Sequence, residues 1–267
     1  MRLFSWYGNG MELVHSLDRD LAEQKFPIHM HGNYELYCFV SGDAHYAVEG
    51  RIWKLEYGSV LLMSPGESHN LILNSPKPYE RYTLNFSESD VPADLRELLI
   101  RLSEQAPEER NYYGGSEFSG VTPLDLFRAM CAGNAEDAPL RIRAFLPALL
   151  ALLGQRKQKP ETAANARTEG TEMVDWINAH LCDPVSLAQL AERFHRSISQ
   201  TQRIFLAATG TTVGQYCRTK RLLRARQLIE GGTGAQAACA ACGFGDYSSF
   251  FRLYKKQFGD APSRTGK

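Results

Sequence analysis

The chain has 267 residues, enough for one large domain or two ordinary ones, with 43% hydrophobic, 22% charged and 10% aromatic residues, a globular balance. Net charge is zero overall, yet residues 172–267 hold 13 Lys and Arg against 7 Asp and Glu, so a basic C-terminal part that suits a polyanion follows an acidic N-terminal part. The first twenty residues have no apolar core of a secretory signal, the longest apolar run (145–153) is interrupted by Pro147, and six scattered cysteines are too sparse for a disulfide scaffold; together these argue against a membrane span and for a reducing cytoplasm.

Residues 26–86 read as short strands. Runs such as "YELYCFVSG", "AHYAVEG", "SVLLMSP" and "RYTLNF" are punctuated by Gly, Pro, Asn and Ser, with hairpin turns expected at Ser41-Gly42 and Glu49-Gly50. Evenly spaced short strands favour a sandwich or small barrel. The residues before them form an N-terminal arm, to about residue 25, whose Phe4, Trp6 and Tyr7 could fold over a pocket mouth.

Helical spacing takes over at about residue 92. "ADLRELLIRL" places Leu95, Leu98, Leu99 and Leu102 on one face. A polar loop over about 106–120 leads to Thr122-Pro123, a good helix start, and "LRIRAFLPALLALLG" runs to Gly154 as its C-cap. Residues 155–170 are polar without an aromatic and read as a mobile interdomain linker.

From residue 171 the pattern is helical throughout. Ser186 with Gln189, and Ser197 with Gln200, are two capping boxes, and they bracket "LAQLAERFHR" with its stripe Leu187, Leu190, Ala191 and Phe194. Helix, tight turn, helix in a basic segment is the helix-turn-helix signature. A second copy, "AQAACAACGFGDYSSFFRLYKKQFG", follows about 48 residues later with a turn one residue longer and Asp246 as cap. The long helix "TTVGQYCRTKRLLRARQLIEGG" joins them and stops at Gly231-Gly232.

On "SLAQLAERF", "RLLRARQLI" and above all "CGFGDYSSFFRLYKKQFG", the C-terminal region resembles the DNA-binding domain of the AraC family of bacterial transcription regulators. The N-terminal part resembles the cupin-type sensor domain many members carry: His29, His31, Glu35 and Gly42 match a first cupin motif, and Gly58, Pro65, Gly66 and His69 a second. The resemblance implies a two-domain fold: an N-terminal all-β cupin (jelly-roll) barrel with following helices, and a C-terminal all-α domain with two helix-turn-helix units. Residues 1–90 would be the effector-sensing barrel with its arm, 91–154 a helical dimerisation segment, 155–170 the linker, and 171–267 the DNA-binding domain. The implied protein is a cytoplasmic homodimer without enzymatic activity or cofactor. It binds a double-stranded DNA operator under control of a small-molecule effector, a carbohydrate or related metabolite, and meets RNA polymerase if it activates. This chain departs from the family at Ala235, Ala238 and Cys242, where large aliphatic residues are usual, so its second unit is expected to be the less stable.

Base-reading positions follow from docking geometry, since the second helix of each unit enters the major groove. They are Ser199, Gln200, Gln202 and Arg203 in the first unit, and Tyr247, Ser248, Phe251 and Arg252 in the second. Arg matches guanine edges and Gln adenine edges. Arg196, Lys255 and Lys256 suit phosphates, which position without specifying; Arg221, Arg224 and Arg226 could form internal ion pairs instead. The pair Cys239 and Cys242 has no second pair to make a metal or redox motif and reads as buried thiols.

In "HMHGNYE", residues 29–35, two histidines and a glutamate raise a metal question, because three imidazoles (with His69) and a carboxylate suit Fe(II), Mn(II), Ni(II) or Zn(II). Three readings stand open: His29, His31, Glu35, Tyr37, Tyr46 and His69 line an effector pocket, or they satisfy one another structurally, or they hold a metal in a metal-responsive regulator or a cupin enzyme fused to a DNA-binding domain. Trp53 and Tyr82 are further aromatics in the barrel strands.

Overall fold

The computed structural model describes residues 1–19, 26–105, 110–155 and 168–263. The chain forms two compact units, Met1–Ala166 and Arg167–Lys267. The expected linker falls almost wholly outside the described residues, as do parts of the 106–120 loop and the end of the chain.

The first unit contains strands β1 (Arg2–Gly8), β2 (Met11–Asp18), β3 (Tyr34–Ser41), β4 (Ala44–Val48), β5 (Arg51–Lys54), β6 (Val60–Met63), β7 (His69–Leu73), β8 (Tyr79–Phe86) and β9 (Tyr112–Tyr113). They form a six-stranded sheet in the order β1-β2-β8-β3-β6-β9 and a three-stranded sheet in the order β5-β4-β7. Helices α1 (Ala93–Ser103), α2 (Pro123–Met130) and α3 (Ala138–Gly154) cover the outer face of the large sheet.

Alternation along β3 and β8 builds this layering, since successive strand side chains point to opposite faces. Leu36 and Cys38 from β3, with Tyr82, Leu84 and Phe86 from β8, pack with Leu99, Phe127, Ile142, Leu146 and Leu150 of the helices. Tyr37 and Phe39 from β3, with Tyr79 from β8, pack inward with Tyr46, Trp53 and Leu71 of the small sheet. A strand covered on both faces reads as a near-continuous apolar run, which is the pattern of "YELYCFV".

Four expectations change here. The N-terminal residues are no loose arm over a pocket: β1 and β2 form a hairpin, and β2 pairs with β8 from Glu12↔Asn85 to Asp18↔Tyr79. Its alternation was obscured because both faces carry apolar residues; residues 20–25 of the expected arm lie outside the described residues. Ser41-Gly42 does not close a hairpin, for β3 and β4 belong to different sheets. Gly42, at φ 131°, lets the chain cross between them; a Cβ there would stand 3.3 Å from the Tyr79 ring. Glu49-Gly50 does turn β4 into β5, both at positive φ. The polar loop contains β9, which pairs with β6 at Val60↔Tyr113. Finally, Gly154 lies inside α3, whose C-cap is Gln155.

The second unit contains α4 (Glu169–Ala179), α5 (Leu187–Arg193), α6 (Ile198–Thr209), α7 (Val213–Glu230), α8 (Ala235–Ala241) and α9 (Tyr247–Phe258). Helix α4 begins at Glu169, inside the expected linker, because the Thr168 hydroxyl caps it. Both expected capping boxes form, at Ser186 with Gln189 and at Ser197 with Gln200, and Asp246 caps α9 through the Ser248 and Ser249 amides. Helix α7 is buried on two sides: Leu222, Ala225 and Ile229 join α8 and α9, while Tyr216 packs edge-on against Phe205 of α6. A helix apolar on more than one face is one wedged between two packing partners.

Candidate functional site

The inner face of the barrel lines a partly open cavity of about 230 Å³. Phe26, Pro27 and His29 line it from the segment before β3, Glu35 and Tyr37 from β3, Tyr46 from β4, Leu71 from β7, and Tyr79, Arg81 and Thr83 from β8. Sequence reasoning found His29, Glu35, Tyr37 and Tyr46. It missed Tyr79, Arg81 and Thr83, although period-2 alternation along "YERYTLNF" puts all three on one face.

Three histidines gather at one end. The backbone of His29 and His69 exchanges two hydrogen bonds, 2.9 and 3.1 Å. Nδ1 of His29, His31 and His69 bonds the carbonyls of Pro27, Asn33 and Glu67 at 3.0, 3.0 and 2.8 Å. Each ring is therefore anchored on its Nδ1 side. One ring nitrogen from each of the three lies within 4.8 Å of the others. Nε2 of His31 is 2.9 Å from Glu35 Oε2; Nε2 of His69 is 3.6 Å from the same oxygen and, though buried, has no hydrogen-bond partner among the described residues. His31 and His69 thus stand behind Glu35 rather than along the cavity wall.

Electrostatics ties these groups together. Burial alone would push the Glu35 carboxyl up, but His31 and His69 beside it hold it well below the usual carboxylate range. Burial opposes charge on His69, yet the Glu35 carboxylate raises its affinity for a proton; at His29, burial and the neighbouring His69 lower it.

The other end of the cavity is hydroxyl-rich. Tyr37 and Tyr79 share a hydrogen bond between their hydroxyls, and burial raises the pKa of both, and of Tyr46, so all three are neutral donors. Arg81 lies over the Tyr79 ring at 4.7 Å, and its Nη1 donates to Asp18 at 2.6 Å. Its charge is balanced before any ligand enters. Trp53 is stacked on Tyr112 in the core, and Tyr82 faces the helices, stacked on His15.

In the second unit, the two tight turns are equivalent. His195 and Gly243 both take left-handed φ, 52° and 73°. The following amides, Arg196 and Phe244, donate to the Ala191 and Cys239 carbonyls. The 48-residue repeat read from the sequence is thus a repeat of backbone geometry. On α6, Ser199, Gln200 and Arg203 are exposed, while Gln202 is half-buried with its Nε2 lacking a hydrogen-bond partner among the described residues. The Gln200 side-chain oxygen already accepts from the Ser197 amide at 3.1 Å, which leaves only its NH₂ for a base edge. On α9, Tyr247, Ser248 and Arg252 are exposed and Phe251 half-buried. Lys255 and Lys256 are exposed; Arg196 is held by Glu169 at 2.8 and 3.2 Å, and Arg226 by Glu230. Cys239 and Cys242 are buried, and burial pushes the Cys242 thiol up to about 11.

Comparison with known proteins agrees with both units. The family model described as an AraC-like ligand binding domain matches residues 16–150, and a helix-turn-helix domain model matches residues 190–267. The HTH-type transcriptional activator RhaS of Salmonella schwarzengrund is 25% identical over 258 residues, covering 92% of this chain and 90% of its own. Among solved structures, ToxT from Vibrio cholerae is 12% identical, covering 96% of both chains with a TM-score of 0.36. The match to the AraC-like ligand-binding model over half the chain, joined to a domain with two helix-turn-helix units, makes this chain a member of the AraC family of DNA-binding transcriptional regulators.

Proposed function

We propose that the barrel cavity binds a small neutral polyhydroxylated molecule, a carbohydrate or related metabolite, and that its occupancy controls DNA binding by the second unit. The observation that carries this is the lining itself: aromatic faces beside hydroxyl donors and a carboxylate acceptor, with Arg81 paired to Asp18 and Glu35 hydrogen-bonded to His31. A cavity of about 230 Å³ lies just below the roughly 300–1,000 Å³ usual for drug-sized ligands, which suits a small ligand such as a single sugar ring. Stacking on Tyr and Phe faces and hydrogen bonds to hydroxyls are what such a ring offers. The effector acts by its differential affinity for two states of the regulator. DNA reading belongs to Ser199, Gln200, Gln202, Arg203, Tyr247, Ser248, Phe251 and Arg252, with Lys255 and Lys256 on phosphates; Arg196 joins them only by exchanging Glu169 for phosphate. We further propose a homodimer through α1 to α3, whose outer surface exposes Ile100 and Leu140, and a contact with RNA polymerase if the protein activates.

Thermal-shift measurement against a panel of neutral sugars and polyols tests the effector reading. One sugar is expected to raise the melting temperature, with the shift lost in Glu35→Gln. A panel without any shift, alongside a shift from a charged ligand, overturns it.

A second reading is favoured by the histidine geometry. Three imidazoles anchored through Nδ1, with Glu35 and the unpartnered Nε2 of His69 directed to one region, fit a divalent ion. Ligands about 2.0–2.2 Å from an ion lie about 3 Å apart, so the present spread of up to 4.8 Å would have to close. A bound ion would supply a Lewis-acidic docking point for an effector oxygen. Metal analysis of protein purified without a histidine tag decides: stoichiometric metal lost in His69→Ala supports this reading, and metal-free protein that still responds to a sugar rejects it.

A further inference from the structure

The two helix-turn-helix units meet at one seam, and one side chain spans it. Arg221, on α7, donates from Nε to the Leu181 carbonyl at 2.5 Å and from Nη2 to the Asp183 carbonyl at 2.5 Å. Both acceptors lie in the turn between α4 and α5, which opens the first unit. Its Nη1 reaches the Gly243 carbonyl at 3.4 Å, in the turn of the second unit. A planar guanidinium with a rigid fork of donors can serve three fixed acceptors at once; an ammonium on a flexible stem cannot hold them in the same geometry.

The backbone shows the same seam independently. A Cβ at Gly243 would stand 2.1 Å from the Cys182 carbonyl oxygen, so the two turns are in backbone-to-backbone contact there. The equivalent position in the first unit is His195, which takes the same left-handed conformation and is exposed. The left-handed turn therefore accepts a side chain where it faces solvent, and glycine stands where it meets the other unit.

We propose that Arg221 is a positioning residue that sets the distance and rotation between the two reading helices, and so determines which spacing of two DNA segments the regulator accepts. This rests on the assignment of α6 and α9 as reading helices. Two readers on one rigid frame meet major-groove segments about one helical turn apart, and each inserted base pair rotates one segment by about 35°. With the seam closed, two inserted base pairs put one reader out of reach. Without the guanidinium, only α7 and the bare backbone contact at Gly243 join the units, and the pair can follow the altered spacing.

The test uses the full-length chain and a DNA duplex selected by the wild type from a random library. Derivatives carry one or two base pairs inserted between the two protected segments. Wild type is expected to lose at least about tenfold in affinity on two insertions. Arg221→Ala is expected to bind the parent duplex more weakly and to hold all three duplexes within about threefold. Arg221→Lys, which keeps the charge but not the fork, should behave like Arg221→Ala and decides the matter if Arg221→Ala does not fold. A folded variant that retains the wild-type tenfold discrimination overturns the proposal, as does a wild type indifferent to spacing. A wild type that selects no DNA overturns the DNA-reading assignment itself.

Discussion

The hydroxyl pair Tyr37 and Tyr79 makes a quantitative prediction. Both side chains are buried, at 2% and 0% exposure, and their hydroxyls bond each other across β3 and β8. Two hydroxyls carry two protons; one lies in the bond between them and the other remains to donate into the cavity. Tyr37→Phe removes one oxygen and leaves the Tyr79 hydroxyl buried without that partner, at a cost of about 1–3 kcal/mol. Tyr79→Phe does the converse at a similar cost. The double variant leaves no orphan, so its cost should fall below the sum of the two singles by about 1 kcal/mol or more. Urea unfolding at 25 °C reads this, followed by tryptophan fluorescence, because Trp53 sits in the same core stacked on Tyr112. Single costs that add to within about 0.5 kcal/mol in the double variant would refute the pairing.

Asp18 has a carboxyl below its ordinary value of 3.8: burial opposes this, and the hydrogen bond and charge of Arg81 prevail. Its contribution to stability is complete above that ordinary value and lost as pH falls through the lower folded one. The urea midpoint of the wild type should therefore exceed that of Asp18→Asn at pH 6, and the gap should narrow as pH falls below 3.8; a gap that does not narrow contradicts the ion pair. Arg203→Ala, which removes an exposed guanidinium on α6, should weaken the preferred duplex by about 1–3 kcal/mol and relax preference at one base position. Uniform weakening across a duplex panel would leave Arg203 a phosphate contact only. In α8 and its C-cap the buried positions are filled by Ala238, Cys239 and Cys242. Amide exchange in α8 should accordingly be faster than in α5, and equal protection would remove the argument from small side chains.

How legible the protein was depends on the range of the interactions involved. Capping at Ser186, Ser197, Thr122 and Asp246 is decided within three residues, and each was readable in the sequence. That Glu35, Tyr37 and Phe39 share one face follows from alternation within one strand. The hairpin β1-β2 did not, because what makes it part of the sheet is pairing with β8, far along the chain. Arg81 escaped notice for a related reason: its partner Asp18 lies on that unrecognised strand. Gly42 looked like a hairpin turn because the local signal for a tight turn is the same whether the next strand returns or crosses to another sheet. Arg221 could be marked as a cation that might turn inward, but nothing in the sequence tells a cation paired with carboxylates from one spread over three carbonyls.

The pairing of β2 with β8 also orders events during synthesis. Strand β2 leaves the ribosome early, while the residues that complete its hydrogen-bond ladder, Tyr79 to Asn85, come last among the strands of the barrel wall except β9. At about 5–20 residues per second, β2 waits several seconds with one edge unpaired. The hairpins β1-β2 and β4-β5 can close in microseconds, but the wall between them closes only when β8 inserts between β2 and β3. Strand β8 is thus the keystone of assembly, and it carries Tyr79, Arg81 and Thr83 of the cavity. The pocket comes into existence in the same step that completes the sheet, so a nascent chain has no such cavity until the wall is whole.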